Sequence, residues 1–98
     1  MQIKIHNSYR IVVAVCDSNL IGKKFEEGIK QLDTKERFYT GTEFKEEEAV
    51  KIMQEQDRED ATFNIVGEDS INAAIKAGVI NSATVGKVNG VPFALKLI

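Results

Sequence analysis

Residues Thr62 to Ile80, TFNIVGEDSINAAIKAGVI, set strand, turn, helix and stop signals in unbroken order. Phe63, Ile65 and Val66 are β-formers, and an apolar run this short, closed by a glycine, suits a buried strand better than a helix. Gly67 turns the chain. Glu68 and Asp69 then place negative charge in a first helical turn, where free N–H groups and the helix dipole favour it. Ile71, Ala74, Ile75 and Gly78 recur at i, i+3, i+4 and i+7, so one helix face is apolar and slim enough to lie close on a sheet. Gly78 suits the C′ position beyond the helix end. A buried strand feeding an amphipathic helix points to an α+β protein whose flanking segments supply the rest of the sheet.

Those segments are short. Ninety-eight residues allow one α+β domain over 1–98, and 43% hydrophobic with 29% charged residues is the balance of a chain that folds without a partner. A net charge of −2 argues against bulk attraction to nucleic acid, and no DNA partner is expected. The charge is uneven: residues 1–40 carry seven Lys or Arg against five Asp or Glu, and residues 41–98 carry six against ten. An anion site therefore belongs in the first half. Cys16 is the single cysteine, which excludes an intrachain disulfide and a cysteine-based zinc cluster and suits a reducing cytoplasm. No apolar run approaches the roughly 20 residues of a membrane span, and MQIKIHNSYR lacks the apolar core of a signal peptide, so a cytoplasmic protein with no membrane partner is expected.

Toward the N-terminus, Ile3 and Ile5 alternate with Lys4 and His6, and Ile11–Cys16 (IVVAVC) is the continuous β-branched run of a central strand covered on both faces. Together they predict a hairpin from Gln2 to Cys16. Asp17, Ser18 and Asn19 break the strand. Leu20, Ile21 and Phe25 are expected to fold back as a loop or single helical turn, a third strand to run from Ile29 to Thr34, and Phe38 and Tyr39 to lead into a turn at Gly41. Ala49, Ile52 and Met53 predict a helix from Phe44 to Gln56 with Glu46, Glu47 and Glu48 in its first turn, followed by an exposed connection through Asp60. Thr84–Val88 and Val91–Ile98 read as a closing hairpin cornered by Asn89 and Gly90, a pair suited to the positive φ of a type I′ turn. Pro92 belongs at a sheet edge or with its missing N–H toward solvent.

VAVCDSNLIGKKFEEG, ERFYTG, NIVGEDSINAAIKAGVI and VNGVPFALKLI, in that order, resemble the small archaeal proteins grouped as domain of unknown function 424. The resemblance covers nearly the whole chain. It implies a compact α+β domain, an archaeal cytoplasmic source, no assigned activity and a neighbourhood in translation. Where it implies Gly-Val-Pro-His, this chain has Gly90, Val91, Pro92 and Phe93, which points to a structural role for that position.

Few residues carry chemistry. Cys16 and His6 are a thiol and an imidazole on neighbouring strands, but nothing in their spacing pairs them, and a lone histidine makes no metal site. The turn at Gly67 presents a helix N-terminus, yet Glu68 and Asp69 fill its positive potential and no glycine-rich phosphate motif is present. Gly22, Lys23 and Lys24 offer two adjacent ammonium groups on a loop beside Asp17 and Asn19. Lys30, Lys35, Arg37, Phe38 and Tyr39 interleave bases with aromatics, as single-stranded RNA contact requires. Between Glu43 and Asp60 stand eight carboxylates and three bases, either a solvated helix face or a docking surface for a basic protein.

These observations predict a mostly antiparallel sheet of five or six strands carrying two helices on one face. The function expected is a noncatalytic binding or adapter module whose binding residues are Asp17, Asn19, Lys23, Lys24 and Glu68, with RNA or a protein of the translation apparatus as partner. No cofactor and no metal are expected. The alternative is an enzyme for a small anionic substrate, with Lys23 or Lys24 as clamp and Asp17 or Glu68 as acid or base.

Overall fold

The computed structural model describes residues 1–97. Its elements are β1 (Gln2–Asn7), β2 (Ile11–Cys16), β3 (Lys24–Glu27), β4 (Lys30–Asp33), α1 (Glu36–Tyr39), β5 (Thr42–Glu43), α2 (Glu46–Arg58), β6 (Thr62–Val66), α3 (Glu68–Lys76), β7 (Gly86–Val88) and β8 (Val91–Lys96). Single 3-10 turns lie at Ser18–Leu20 and Ser82–Thr84. Six strands form the main sheet in the order β5-β1-β2-β6-β8-β7, and β3 and β4 make a separate two-stranded ribbon.

The Gln2–Cys16 hairpin forms as read, with Ile3 opposite Val15 and Ile5 opposite Val13. One pairing departs from the antiparallel expectation: β2 and β6 run parallel, Cys16 beside Val66, so the sheet is mixed. Both strands are buried on their two faces, and this is what their continuous apolar runs encode. Val13, Val15, Phe63, Ile65 and Ala94 meet Ala49 and Met53 of α2 and Ile71 and Ala74 of α3 on one face. On the other, Ala14, Cys16 and Val66 meet Tyr39, with Leu20, Leu32 and Phe93 packed around them. Each large side chain buried in this way stabilises the fold by about 1.5–3 kcal/mol.

The two long helices share one face, and a third helix, α1, occupies the other. Its single turn spans residues expected to lie in a connection, because Phe38 and Tyr39 both reach the sheet: the Phe38 ring stacks on His6 at 4.5 Å, and Tyr39 is buried. Phe25 sits in β3, opposite Leu32, and not in a loop or helical turn. α2 continues to Arg58, through residues read as a connection, and Asp57 near its end forms an ion pair with Lys96 of β8. Pro92 is not at an edge, since β8 lies between β6 and β7. Its carbonyl accepts from Gly67 N at 2.9 Å, so its missing N–H also faces Gly67, just beyond the last residue of β6. No sheet bond is lost there, and the Gly67 carbonyl accepts instead from Ile71 N in α3 at 2.9 Å. Asn89 and Gly90 have φ of 49° and 78°, the left-handed corner expected of the closing hairpin.

Candidate functional site

Parallel pairing brings the ends of β2 and β6 side by side, and the next residues, Asp17 and Gly67, meet at the start of α3. Asp17 is 8% exposed. Its Oδ1 accepts from Ser70 N at 2.8 Å and from Ser70 Oγ at 2.7 Å, and its Oδ2 accepts from Asp69 N at 3.1 Å. The aspartate thus caps a helix that begins more than 50 residues further along the chain, supplying the anion that the free N–H groups and helix dipole favour. Gly67 has φ 106° and ψ 155°, a region almost confined to glycine, and an added Cβ would strike the Asp17 carboxylate. Ser70 turns inward to reach Asp17, and the buried stripe of α3 is consequently Ser70, Ile71, Ala73 and Ala74, with Ile75 on its rim.

The loop after the cap is pinned from the other side. Thr34 is fully buried, and its hydroxyl accepts from Lys23 N at 3.1 Å and lies within bonding distance of the Leu20 and Lys23 carbonyls, one of which receives its proton. Two backbone bonds add to this, Gly22 N to Thr34 O at 2.6 Å and Thr34 N to Lys23 O at 2.9 Å. Gly22, at φ 83°, packs against Glu36, whose Oε1 would lie 3.0 Å from an added Cβ. Asn19, Lys23 and Lys24 are exposed on this pinned segment, and Lys24 stands opposite Asp33 in the ribbon. Glu68 is exposed in the first turn of α3 and lines a different cavity, of about 380 Å³, with Ile71, Asn72, Lys87 and Pro92. Of the five residues singled out from sequence, then, Asn19, Lys23 and Lys24 share one exposed segment, Asp17 lies buried behind it, and Glu68 belongs to another surface. Thr34 and Ser70, which hold the arrangement, carry no sequence signal: each is an isolated hydroxyl residue whose partner lies far along the chain.

The reactive side chains near this segment are committed to the fold. Cys16 is fully buried, its Sγ donates to the Asp17 carbonyl at 3.4 Å, and burial, aided by the Asp17 charge, pushes the thiol up to about 12. The Tyr39 phenol is likewise pushed up to about 12, by burial first and then by Cys16. His6 Nε2 bonds the Phe38 carbonyl at 2.8 Å, beneath the stacked Phe38 ring. Phe93 packs among Cys16, Val66 and Tyr39, and its ring would lie 3.0 Å from a Cβ at Gly86, so the position is part of the core. Among the described residues, no three of His, Cys, Asp and Glu are grouped to hold a metal ion, and no helix is long and apolar enough to cross a membrane.

The fold has a counterpart of known structure. An uncharacterized conserved protein from Methanopyrus kandleri, solved by crystallography, superposes with a TM-score of 0.86 at 26% identity, over 96% of this chain and 87% of that one. No curated protein matches the chain. The family described as protein of unknown function (DUF424) matches residues 5–97, nearly all of the fold laid out above, and the chain belongs to that family.

Proposed function

We propose that the protein is a noncatalytic binding module that presents Lys23 and Lys24 to an acidic surface of a partner protein. The observation that carries this reading is the pinned segment: two adjacent ammonium groups stand exposed on a loop that Thr34 holds from within. A loop fixed in this way loses little conformational freedom on binding, which leaves more of the contact energy as affinity. An RNA partner is less well served. Phe38 and Tyr39 are occupied with His6 and the core, so they offer no free face for base stacking. The enzymatic alternative loses its acid–base pair to geometry, because Asp17 is engaged by three donors and Glu68 faces another cavity. On this reading the protein is archaeal and cytoplasmic and its partner an acidic protein of the translation apparatus, as the family resemblance implies.

The test compares the wild type with the Lys23→Glu/Lys24→Glu variant in recovery of partners from native extract, with and without nuclease and at two salt concentrations. Exposed charges contribute within about 0.5 kcal/mol to stability, so the variant should fold as the wild type does. A protein partner lost by the variant and retained after nuclease supports the proposal. Retention of every partner by the variant overturns it, as does loss of all partners on nuclease treatment. Stabilisation of the native protein by a small anion, abolished in the variant, would favour the enzyme instead.

A further inference from the structure

A second surface, sharing no residue with the lysine loop, lies at the β5–β1 edge of the sheet. β5 pairs with β1 only at Gln2 and Ile3. Phe44 N donates to Met1 O at 2.8 Å, so the odd-numbered residues of β1 turn their peptide groups toward that edge. Beyond Ile3, the N–H and C=O of Ile5 and Asn7 therefore face outward with no strand beside them, and the Ile5 side chain is 41% exposed. Unpaired edge groups of this kind are a template for a further strand.

Beside this edge a groove of about 660 Å³ runs between β1 and α2. Its floor is apolar, made by Ile3, Ile5, Phe44 and Ile52. Its α2 wall carries Glu55 and Gln56, and Gln56 Oε1 is buried without a hydrogen-bond partner among the described residues. A buried acceptor left unpaired is costly, and a donor entering the groove would satisfy it. The one base lining the groove, Lys4, comes from β1, where strand alternation turns its side chain to the opposite face. The wall thus offers acceptors and negative charge, within a helix whose surroundings, Glu43 to Asp60, hold eight carboxylates against three bases.

We infer that this groove binds an extended basic segment of a partner protein. The segment pairs its backbone with Ile5 and Asn7, and a lysine or arginine beside apolar residues reaches Glu55 and Gln56 Oε1. The charge complementarity selects a basic segment, and the free peptide groups select an extended one.

The probe is a short blocked peptide alternating valine and threonine around a central arginine, with the same peptide carrying glutamate at its centre as control. Both are titrated into the isotope-labelled protein and followed by amide NMR and hydrogen exchange. The arginine peptide should shift and protect the Ile5 and Asn7 amides and shift the Gln56 side chain, and it should bind at least about tenfold more tightly than the glutamate peptide. Gln56→Leu, which removes the unpaired acceptor, and Glu55→Lys, at an exposed position, should each weaken binding, whereas Lys23→Glu/Lys24→Glu should leave it unchanged. No perturbation at Ile5 and Gln56 up to about 1 mM peptide overturns the inference, as does equal binding of the two peptides. Concentration-dependent dimerisation that protects Ile5 without peptide also overturns it, because a second copy would then hold the edge.

Discussion

Replacing Asp17 with alanine tests the central joint of the fold. The substitution strands two backbone N–H groups and the Ser70 hydroxyl, all now bonded to one carboxylate. Bonds to a charged group contribute about 1.5–3 kcal/mol each, and a buried unpaired N–H costs about 1–3 kcal/mol. The three losses are not equal. Asp69 is exposed, so water can reach its amide, and the Ser70 hydroxyl can rotate, which leaves Ser70 N to bear the full cost. We expect Asp17→Ala to lose about 3 kcal/mol, and Asp17→Asn, which keeps one acceptor, about half of that. Against a total of about 5–15 kcal/mol the variant still folds, and its urea midpoint should fall by about 1.5–2 M. Gly67→Ala supplies the coupled measurement. In the wild type the new methyl group meets both the carboxylate and an unfavourable φ, whereas without Asp17 only the backbone strain, about 1–3 kcal/mol, remains. A double-mutant cycle in urea should therefore show a coupling of at least about 1 kcal/mol. Formate, which carries the atoms of the missing carboxylate, should restore part of the midpoint of Asp17→Ala and leave the wild type unmoved. A loss below about 1 kcal/mol, or a strictly additive cycle, would refute the cap as the joint between β2 and α3.

Four further outcomes follow from contacts described above. Thr34→Val keeps the shape of a fully buried side chain but removes the hydroxyl that pins Leu20 and Lys23; it should cost about 1–2 kcal/mol, raise hydrogen exchange at Lys23, and weaken partner recovery although neither lysine has changed. Gly90→Val forces a β-branched residue to φ 78° and should cost about 1–2 kcal/mol, read as a lower melting temperature. Cys16 and Tyr39 each ionise only near pH 12 in the native state against 9.0 and 10.0 as ordinary values, so the unfolded chain releases protons first; stability should be intact below about pH 9 and fall as pH rises toward 12, and Cys16→Ala should blunt that fall at its lower end. A thiol reagent at neutral pH should accordingly react with Cys16 only as fast as the protein opens.

The parts of this fold legible in sequence are those whose signal is local. IVVAVC announces a strand buried on both faces, Asn89-Gly90 announces a left-handed corner, and the period of residues 71 to 78 announces α3 to within one position. The parallel contact between β2 and β6 was not legible, because an apolar run shows that a strand is covered without showing which neighbour covers it. β3 and α1 escaped for another reason. KFEE and ERFY are four residues each and bury one face through a single aromatic or a pair, too little for any period to emerge. Asp17 was legible as a polar residue ending a strand, but its role was not, since the N–H groups that it satisfies lie about fifty residues onward and are brought near by that same parallel contact.

The location of the cap bears on where function can lie. In open sheets with parallel strands, the crevice beyond the strands' carboxyl ends, facing a helix N-terminus, is the usual seat of a phosphate or nucleotide. Here β2 and β6 create that crevice, and Asp17 fills it with a carboxylate from within the chain. An external anion would have to displace a group that is tethered in place and bonded by three donors, and Glu68 and Asp69 would repel it on approach. The position most suited to small-ligand chemistry is thereby turned into a structural joint. The surfaces proposed above for recognition lie elsewhere: the loop that leaves Asp17 carrying Lys23 and Lys24, and the edge of the sheet where β1 runs past β5. Two separate surfaces of opposite charge on so small a domain would suit the proposed adapter, and loss of the joint should impair first the lysine loop, which leaves the sheet directly from Asp17.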